Sequence, residues 1–367
     1  MALKYLSPSA QMSIMNKTAQ SNWKAGGADL ITLPLLNLIT GIVVNLKAQL
    51  TLTGANNTVA NTKIGDEWAL LQLIEVVANG GDVIFSMTGN ELFEYNANVL
   101  GIQPAITPTL GDGATANVTI DSSLIIPLWL LRGIKPLETA CEAYRYTALQ
   151  MRYTYGTFTD VNASASGFTS NPTVDTHVDQ QEATALFVPP LKRRVARYVY
   201  DVQGANPNAR FYLESGWYYS GLLISCQANG GGNDLAGNIS NIKLQCGPTN
   251  LRDQNGVSAT RFGQMTQQIE TGIFQATTGI ATAAKKRISG GSNPLAWTYM
   301  NFLRDGRTSQ AIGSTASQDL FLEMNIAAAC RVVILQEQLS PNQFYNAAEV
   351  QKARDAWRSA NGSAAMY

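Results

Sequence analysis

The chain has 367 residues and a mass of 39.6 kDa, a length that predicts two domains with short extensions. Lys plus Arg and Asp plus Glu both number 26, so the formal net charge is zero and no global field draws the chain to nucleic acid or to an anionic membrane. Charged residues make up 14% and apolar residues 45%, which excludes a disordered chain and leaves a surface rich in Asn, Gln, Ser, Thr and Gly, suited to flanks buried against neighbours and also to an Asn-rich secreted domain.

Residues 7–26 read as a helix. Ser7 is an N-cap, Pro8 fits the first helical position and Gly26-Gly27 ends it. Met12, Met15, Ala19 and Trp23 then share a face, so residues 1–28 form a helical arm that packs on its own domain, on a neighbouring subunit or on a membrane. The N-terminus lacks the charged-then-apolar order of a signal peptide. Residues 30–46 carry no charge but hold Pro34, Asn37 and Gly41 and fall short of the ~20 apolar residues of a span. Their continuation alternates Val44, Leu46, Ala48, Leu50 and Leu52 with polar residues, the period of a half-buried strand.

Strands follow at 68–78 and 83–87, joined by the hairpin turn Asn79-Gly80-Gly81. A short helix is expected over 91–100, a strand over 116–129 with Pro127 near its end, a helical turn from Pro136, and a strand over 147–158. Residues 29–160 thus form a first β domain. Residues 161–190, rich in Ser, Thr, Asn, Asp and Gly and ending in Pro189-Pro190, read as a linker with His177 in an exposed loop. The second β domain runs over 191–340. It has strands at 210–228, 239–246, 297–303, 319–326 and 330–339, and a helical insertion at about 260–288 marked by Phe262, Met265, Ile269, Ile273 and Ile280. Ser340-Pro341 caps a C-terminal helix and tail over 341–367, with Phe344, Ala347, Val350 and Trp357 in a stripe. The halves repeat each other: residues 38–48 (LITGIVVNLKA) align with 218–228 (YYSGLLISCQA), each a long strand entered through a small residue and a Gly.

The chemistry of an active site is missing from the sequence. His177 is the one histidine, and there is no Gly-x-Ser-x-Gly elbow and no phosphate-binding Gly-rich loop. Cys141, Cys226, Cys246 and Cys330 lie far apart with no CxxC pair, so they read as buried thiols of a reducing compartment and not as a zinc site. Gly111-Asp112-Gly113 and Gly230-Gly231-Gly232-Asn233-Asp234 lack calcium-loop spacing. Trp217, Tyr218 and Tyr219 sit at strand spacing and read as core or interface before sugar platform. No catalytic residue, cofactor or metal ligand is expected.

The order of elements resembles the double jelly-roll major capsid proteins of tailless, icosahedral, membrane-containing bacteriophages, the lineage that includes the adenovirus hexon. The residues that carry the resemblance are the long entry strand, the strand–Pro segment Leu124-Ile125-Ile126-Pro127-Leu128-Trp129, the closing strand Leu149-Gln150-Met151-Arg152-Tyr153, and the segment 297–306 after the insertion. The resemblance covers roughly 29–340. It implies an all-β fold of two eight-stranded jelly-roll β-barrels in tandem. It also implies a homotrimer of pseudo-hexagonal outline, tiling with neighbouring capsomers and with minor capsid, penton or spike proteins in a virion made in the host cytoplasm. The arm would lie on the inner side, with Met12, Met15 and Trp23 against an internal lipid membrane or a neighbour, and no direct nucleic-acid contact. On that reading, deleting 1–26 impairs assembly and leaves the subunit folded. Two other readings stay open: a two-domain jelly-roll glycan-binding protein or glycan-acting hydrolase, and another phage structural protein such as a spike or minor capsid protein.

Overall fold

The computed structural model describes residues 13–52, 66–102, 116–131, 133–161, 165–181, 189–228, 238–255, 273–274, 287–288, 297–303, 306–313 and 319–342. In chain order the first half holds β1 (Ser13–Asn22), β2 (Ala28–Thr32), β3 (Leu38–Leu52), β4 (Leu71–Ala78), β5 (Asp82–Met87), helix α1 (Gly89–Tyr95), β6 (Ala116–Pro127), the two-residue β7 (Cys141–Glu142), β8 (Leu149–Tyr155), the single-turn α2 (Phe158–Val161) and β9 (Ala165–Gln181). The second half holds β10 (Leu191–Val202), β11 (Asn206–Tyr212), β12 (Tyr218–Gln227), β13 (Ile239–Cys246), β14 (Thr249–Asn255), the short pair β15 (Ile273–Phe274) and β16 (Arg287–Ile288), β17 (Trp297–Asn301), the two-residue β18 (Ile312–Gly313), β19 (Leu320–Ile326) and β20 (Cys330–Pro341).

Each half closes with one topology. In the first, β1-β9-β3-β6 form one sheet and β2-β8-β4-β5 line up in the other. In the second, β10-β20-β12-β17 and β11-β19-β13-β14 do the same. Leaving aside the short extra strands, both halves read first-eighth-third-sixth and second-seventh-fourth-fifth, the jelly-roll order. The repeat between 38–48 and 218–228 falls on the third strand of each barrel, β3 and β12. The barrels are fused through one sheet: β5 runs parallel to β10, with Val195 opposite Phe85.

That fusion explains the apolar run of β20. The sheet β10-β20-β12 is covered on both sides, and a strand buried on both faces loses alternation. Val195, Leu223, Val333 and Leu335 enter the core of the first barrel, while Leu222, Ile224, Val332 and Ile334 belong to that of the second. The helix expected over 91–100 is present and begins two residues earlier. Thr88 caps α1 in a capping box with Glu91, and a π-helical turn over Asn96–Leu100 ends at Gly101 (φ 66°).

Three segments differ from the expectation. The N-terminal arm is no helix where it is described: β1 is the first strand of the first barrel, antiparallel to β9 from Ser13↔Gln181 to Asn22↔Thr173. It is a polar edge strand with one covered face, so ladder bonds to β9 stabilise it and its apolar residues do not announce the period. The linker expected over 161–190 is largely β9, the eighth strand, held between β1 and β3. Its Ser, Thr and Asp content reads as loop, yet Val174, Thr176, Val178 and Gln180 alternate into the barrel and are buried. His177 accordingly lies mid-strand and half-buried, opposite Lys17 and Val43, and not in an exposed loop. Of the helical insertion at 260–288, the described residues are the antiparallel pairs Ile273↔Ile288 and Phe274↔Arg287, which are strand; the rest lies outside the described residues, as does the C-terminal helix beyond 342.

Candidate assembly surfaces and the seam between the barrels

Every hairpin reverses the chain, so the connections sort to two ends. The connections at 33–37, 79–81, 128–148, 182–190, 213–217 and 302–319 open on one end, together with both ends of the described chain. The long connections at 53–70, 88–115, 228–238 and 256–296 open on the other. Because β5 and β10 are parallel, both barrels stand the same way up. The first end, called the base here, also carries the exposed apolar side chains Leu36, Leu131, Ile134, Tyr212 and Tyr218.

The three arm residues separate. Trp23 is packed into its own barrel: its ring meets Phe168 edge-on at 5.0 Å, and its Nε1–H donates to the Gly156 carbonyl at 2.9 Å. Met15 projects from the free edge strand β1 and is exposed. Met12 lies outside the described residues.

Sequence reasoning missed the seam between the barrels. Arg193 on β10 and Glu337 on β20 form an ion pair at 2.7 Å with side chains 3% and 4% exposed. The Tyr95 hydroxyl, from the end of α1, donates to Glu337 Oε1, and the Tyr299 hydroxyl donates to Oε2 at 2.7 Å. Arg193 donates to the Tyr95 hydroxyl at 2.7 Å and to the Pro127 carbonyl at 2.5 Å. Burial works to strip the charge from Arg193, but Tyr95 and Glu337 outweigh it and hold its pKa up. Burial pushes the Tyr95 phenol well above its usual range. One turn away, Arg197 clasps Glu91, the capping residue of α1, at 2.7 and 2.9 Å. The helix between the fifth and sixth strands is thus tied to the second barrel by charge at both its ends. The one available signal was Glu337 itself, a carboxylate inside the apolar run of β20.

A second polar cluster closes the base of the second barrel. Burial acts to raise the Glu214 carboxyl, yet the Tyr198 hydroxyl, Arg194 and donors from Trp217 and Gln338 hold it below its ordinary value. The Arg194 guanidinium lies over the Trp217 ring at 5.4 Å, so this aromatic acts as structure there. A cavity of about 330 Å³ opens at the base between the barrels, lined in part by Asp82, Cys141, Glu142, Arg145 and Lys192. Its charges are paired inside the chain, Lys192 with Asp82 at 2.5 Å and Arg145 with Glu142 at 3.0 Å. Among the described residues no group of three His, Cys, Asp or Glu side chains is placed to hold a metal, and no helix is long and apolar enough to cross a membrane.

No disulfide joins any of the four cysteines; three are buried and Cys246 is half-buried. Burial raises the Cys141 thiol to about 12. Titration of the native protein with a thiol reagent at pH 8 is therefore expected to show one fast site, Cys246, and three that react only on unfolding. Two or more fast sites would contradict the packing.

No protein-family profile matches the chain, and no curated protein matches it by sequence. Solved structures do. The major capsid protein of STIV, Sulfolobus Turreted Icosahedral Virus, superposes with a TM-score of 0.68 at 13% identity, covering 91% of this chain and 98% of that one. The major capsid protein P2 of bacteriophage PM2 gives 0.60 at 12% identity, covering 91% and 100%. The quasi-atomic model of the PBCV-1 virus capsid gives 0.53 at 11% identity, covering 90% and 93%. The fold is therefore a double jelly roll, similar to that of these capsid proteins, and the strand order of the two halves had already indicated the jelly rolls.

Proposed function

We propose that the protein is a viral major capsid protein, a structural subunit of the virion that assembles into pseudo-hexagonal trimers and through them into an icosahedral shell. The observation that carries this reading is the fusion of two barrels of identical strand order, upright and side by side through the β5–β10 contact. Three such chains supply six like barrels, and a ring of six tiles a surface as a hexamer does. The first barrel is taken as 13–181 and the second as 191–341. The low charge and the Asn- and Thr-rich flanks suit lateral walls that become interfaces.

The two ends then take different roles. The end on which the long connections open faces outward. The base, with Leu36, Leu131, Ile134 and Tyr218 exposed, faces inward toward a lipid membrane, where apolar and aromatic side chains are at home. Minor capsid, penton or spike proteins would fill the positions that a pseudo-hexagon leaves open. Light scattering on the purified protein is expected to give three times 39.6 kDa, and negative-stain images flat hexagonal plates. A monomer at tens of micromolar would sink the reading.

A further inference from the structure

We propose that β14 of one copy docks in parallel on β1 of the next copy, repeating between chains the junction that β5 and β10 make within the chain. The inference rests on the capsid reading above and names the surface through which its copies join. β5 is the fifth strand of the first barrel and β10 the first strand of the second. Their counterparts are β14, the fifth strand of the second barrel, and β1, the first strand of the first. Both end their sheets, and among the described residues neither has a strand on its outer side.

The registers of the two barrels can be laid on each other residue by residue. β3 and β12 each skip a residue just before a glycine, at Thr40–Gly41 and Ser220–Gly221. The skipped hydroxyls do the same work: Thr40 donates to the Asp179 carbonyl at 3.2 Å and Ser220 to the Glu337 carbonyl at 3.3 Å. Gly41 faces Asp179, which faces Met15; Gly221 faces Glu337, which faces Val195. Met15 is thus the counterpart of Val195, the residue opposite Phe85 at the in-chain junction. Val195 is 1% exposed there, and Met15 on its free edge is 59% exposed.

The other partner corresponds in the same way. The hairpins β4–β5 and β13–β14 each carry a register shift at the same step, between Val76 and Val77 and between Leu244 and Gln245. Val76 faces Phe85 and Leu244 faces Arg252. Arg252 is therefore the counterpart of Phe85, and Leu251 that of Ile84. Ile84 is 5% exposed, whereas Leu251 is 40% exposed. Apolar side chains that the in-chain junction buries stand bare at the matching places on two unpaired edges, and such edges need a partner or a device against one.

The direction of the strands selects the partner geometry. A two-fold pairing of β1 with its own copy would be antiparallel and would invert one barrel. A parallel β14–β1 contact keeps every barrel upright and is head-to-tail, the class of contact that builds rings where the rotation between barrels closes.

The test is a double variant, Met15→Cys with Arg252→Cys in a Cys246→Ser background, treated with a short bis-maleimide. Covalent two-chain and three-chain species are expected, absent from each single variant and from the unmodified protein. A protein that scatters as a trimer but gives no such species overturns the interface and leaves the capsid reading standing; a monomer overturns both. Independently, Met15→Glu is expected to raise the trimer dissociation constant at least ~10-fold with unchanged circular dichroism. A trimer of undiminished stability in that variant also counts against the proposal.

Discussion

Replacing Glu337 with alanine is expected to cost roughly 3–5 kcal/mol of unfolding free energy, the range for breaking one side of a buried ion pair. The size follows from what stays behind. Arg193, whose guanidinium does not deprotonate in proteins, is left as a charge sealed at 3% exposure with only the Pro127 carbonyl and the Tyr95 hydroxyl as partners. Its Nε already has no acceptor, so the cluster has nothing in reserve. The fully buried Tyr95 hydroxyl loses its acceptor at the same time, and an orphaned buried donor carries its own penalty of about 1–3 kcal/mol. Glu337→Gln keeps an oxygen for the tyrosines and is expected to cost less. Replacing Arg193 and Glu337 together by Met and Leu removes both charges and is expected to come back toward the parent stability. Urea unfolding followed by tryptophan fluorescence measures all three. A Glu337→Ala loss below 1 kcal/mol would mean that water reaches the seam. Because the cluster joins β10 and β20 to α1, the alanine variant is also expected to split unfolding into two transitions as the barrels uncouple.

The sequence made the architecture legible where one face of a strand is buried and the other is not. β3, β8 and β12 could be read from their own residues, and the glycine that aligns β3 with β12 proved to mark the same bulge in both barrels. The helix at 91–100 carried its own stop and start chemistry in Thr88, Glu91 and Gly101. What failed were strands whose identity comes from their partners. β1 and β9 are polar and fit a helix stripe or a loop by composition; they are strands because each lies beside the other and β9 also beside β3. The seam was illegible for a related reason. Arg193 sits in the run Lys192-Arg193-Arg194, which reads as a solvated basic patch, and only the β10–β20 ladder brings it to a carboxylate 144 positions away. Met15 could be singled out as a contact residue, but its place opposite Asp179, matching that of Val195 opposite Glu337, needed the register.

Truncation of the N-terminus is expected to have opposite consequences on either side of residue 12. Removing residues 1–11 leaves β1 whole and should leave the melting curve unchanged. Removing 1–24 takes away the first strand of the first barrel, and the subunit is expected to be insoluble or to show a first barrel cut rapidly by protease. The deletion strips β9 of one neighbour along Thr173 to Gln181 and removes the Lys17–Asp175 contact at 2.7 Å. It also takes Trp23 off Phe168 and leaves the Gly156 carbonyl without its indole donor. Loss of a packed Trp alone costs about 3–5 kcal/mol, a large part of the ~5–15 kcal/mol that a domain has, before the lost strand pairing is counted. An assembly arm behaves differently: its removal abolishes particles and spares the subunit. Limited proteolysis and circular dichroism on the two truncations separate these cases. If the 1–24 truncation stays folded, β1 is an exchangeable strand, and β9 rather than β1 would be the edge that meets a neighbouring subunit.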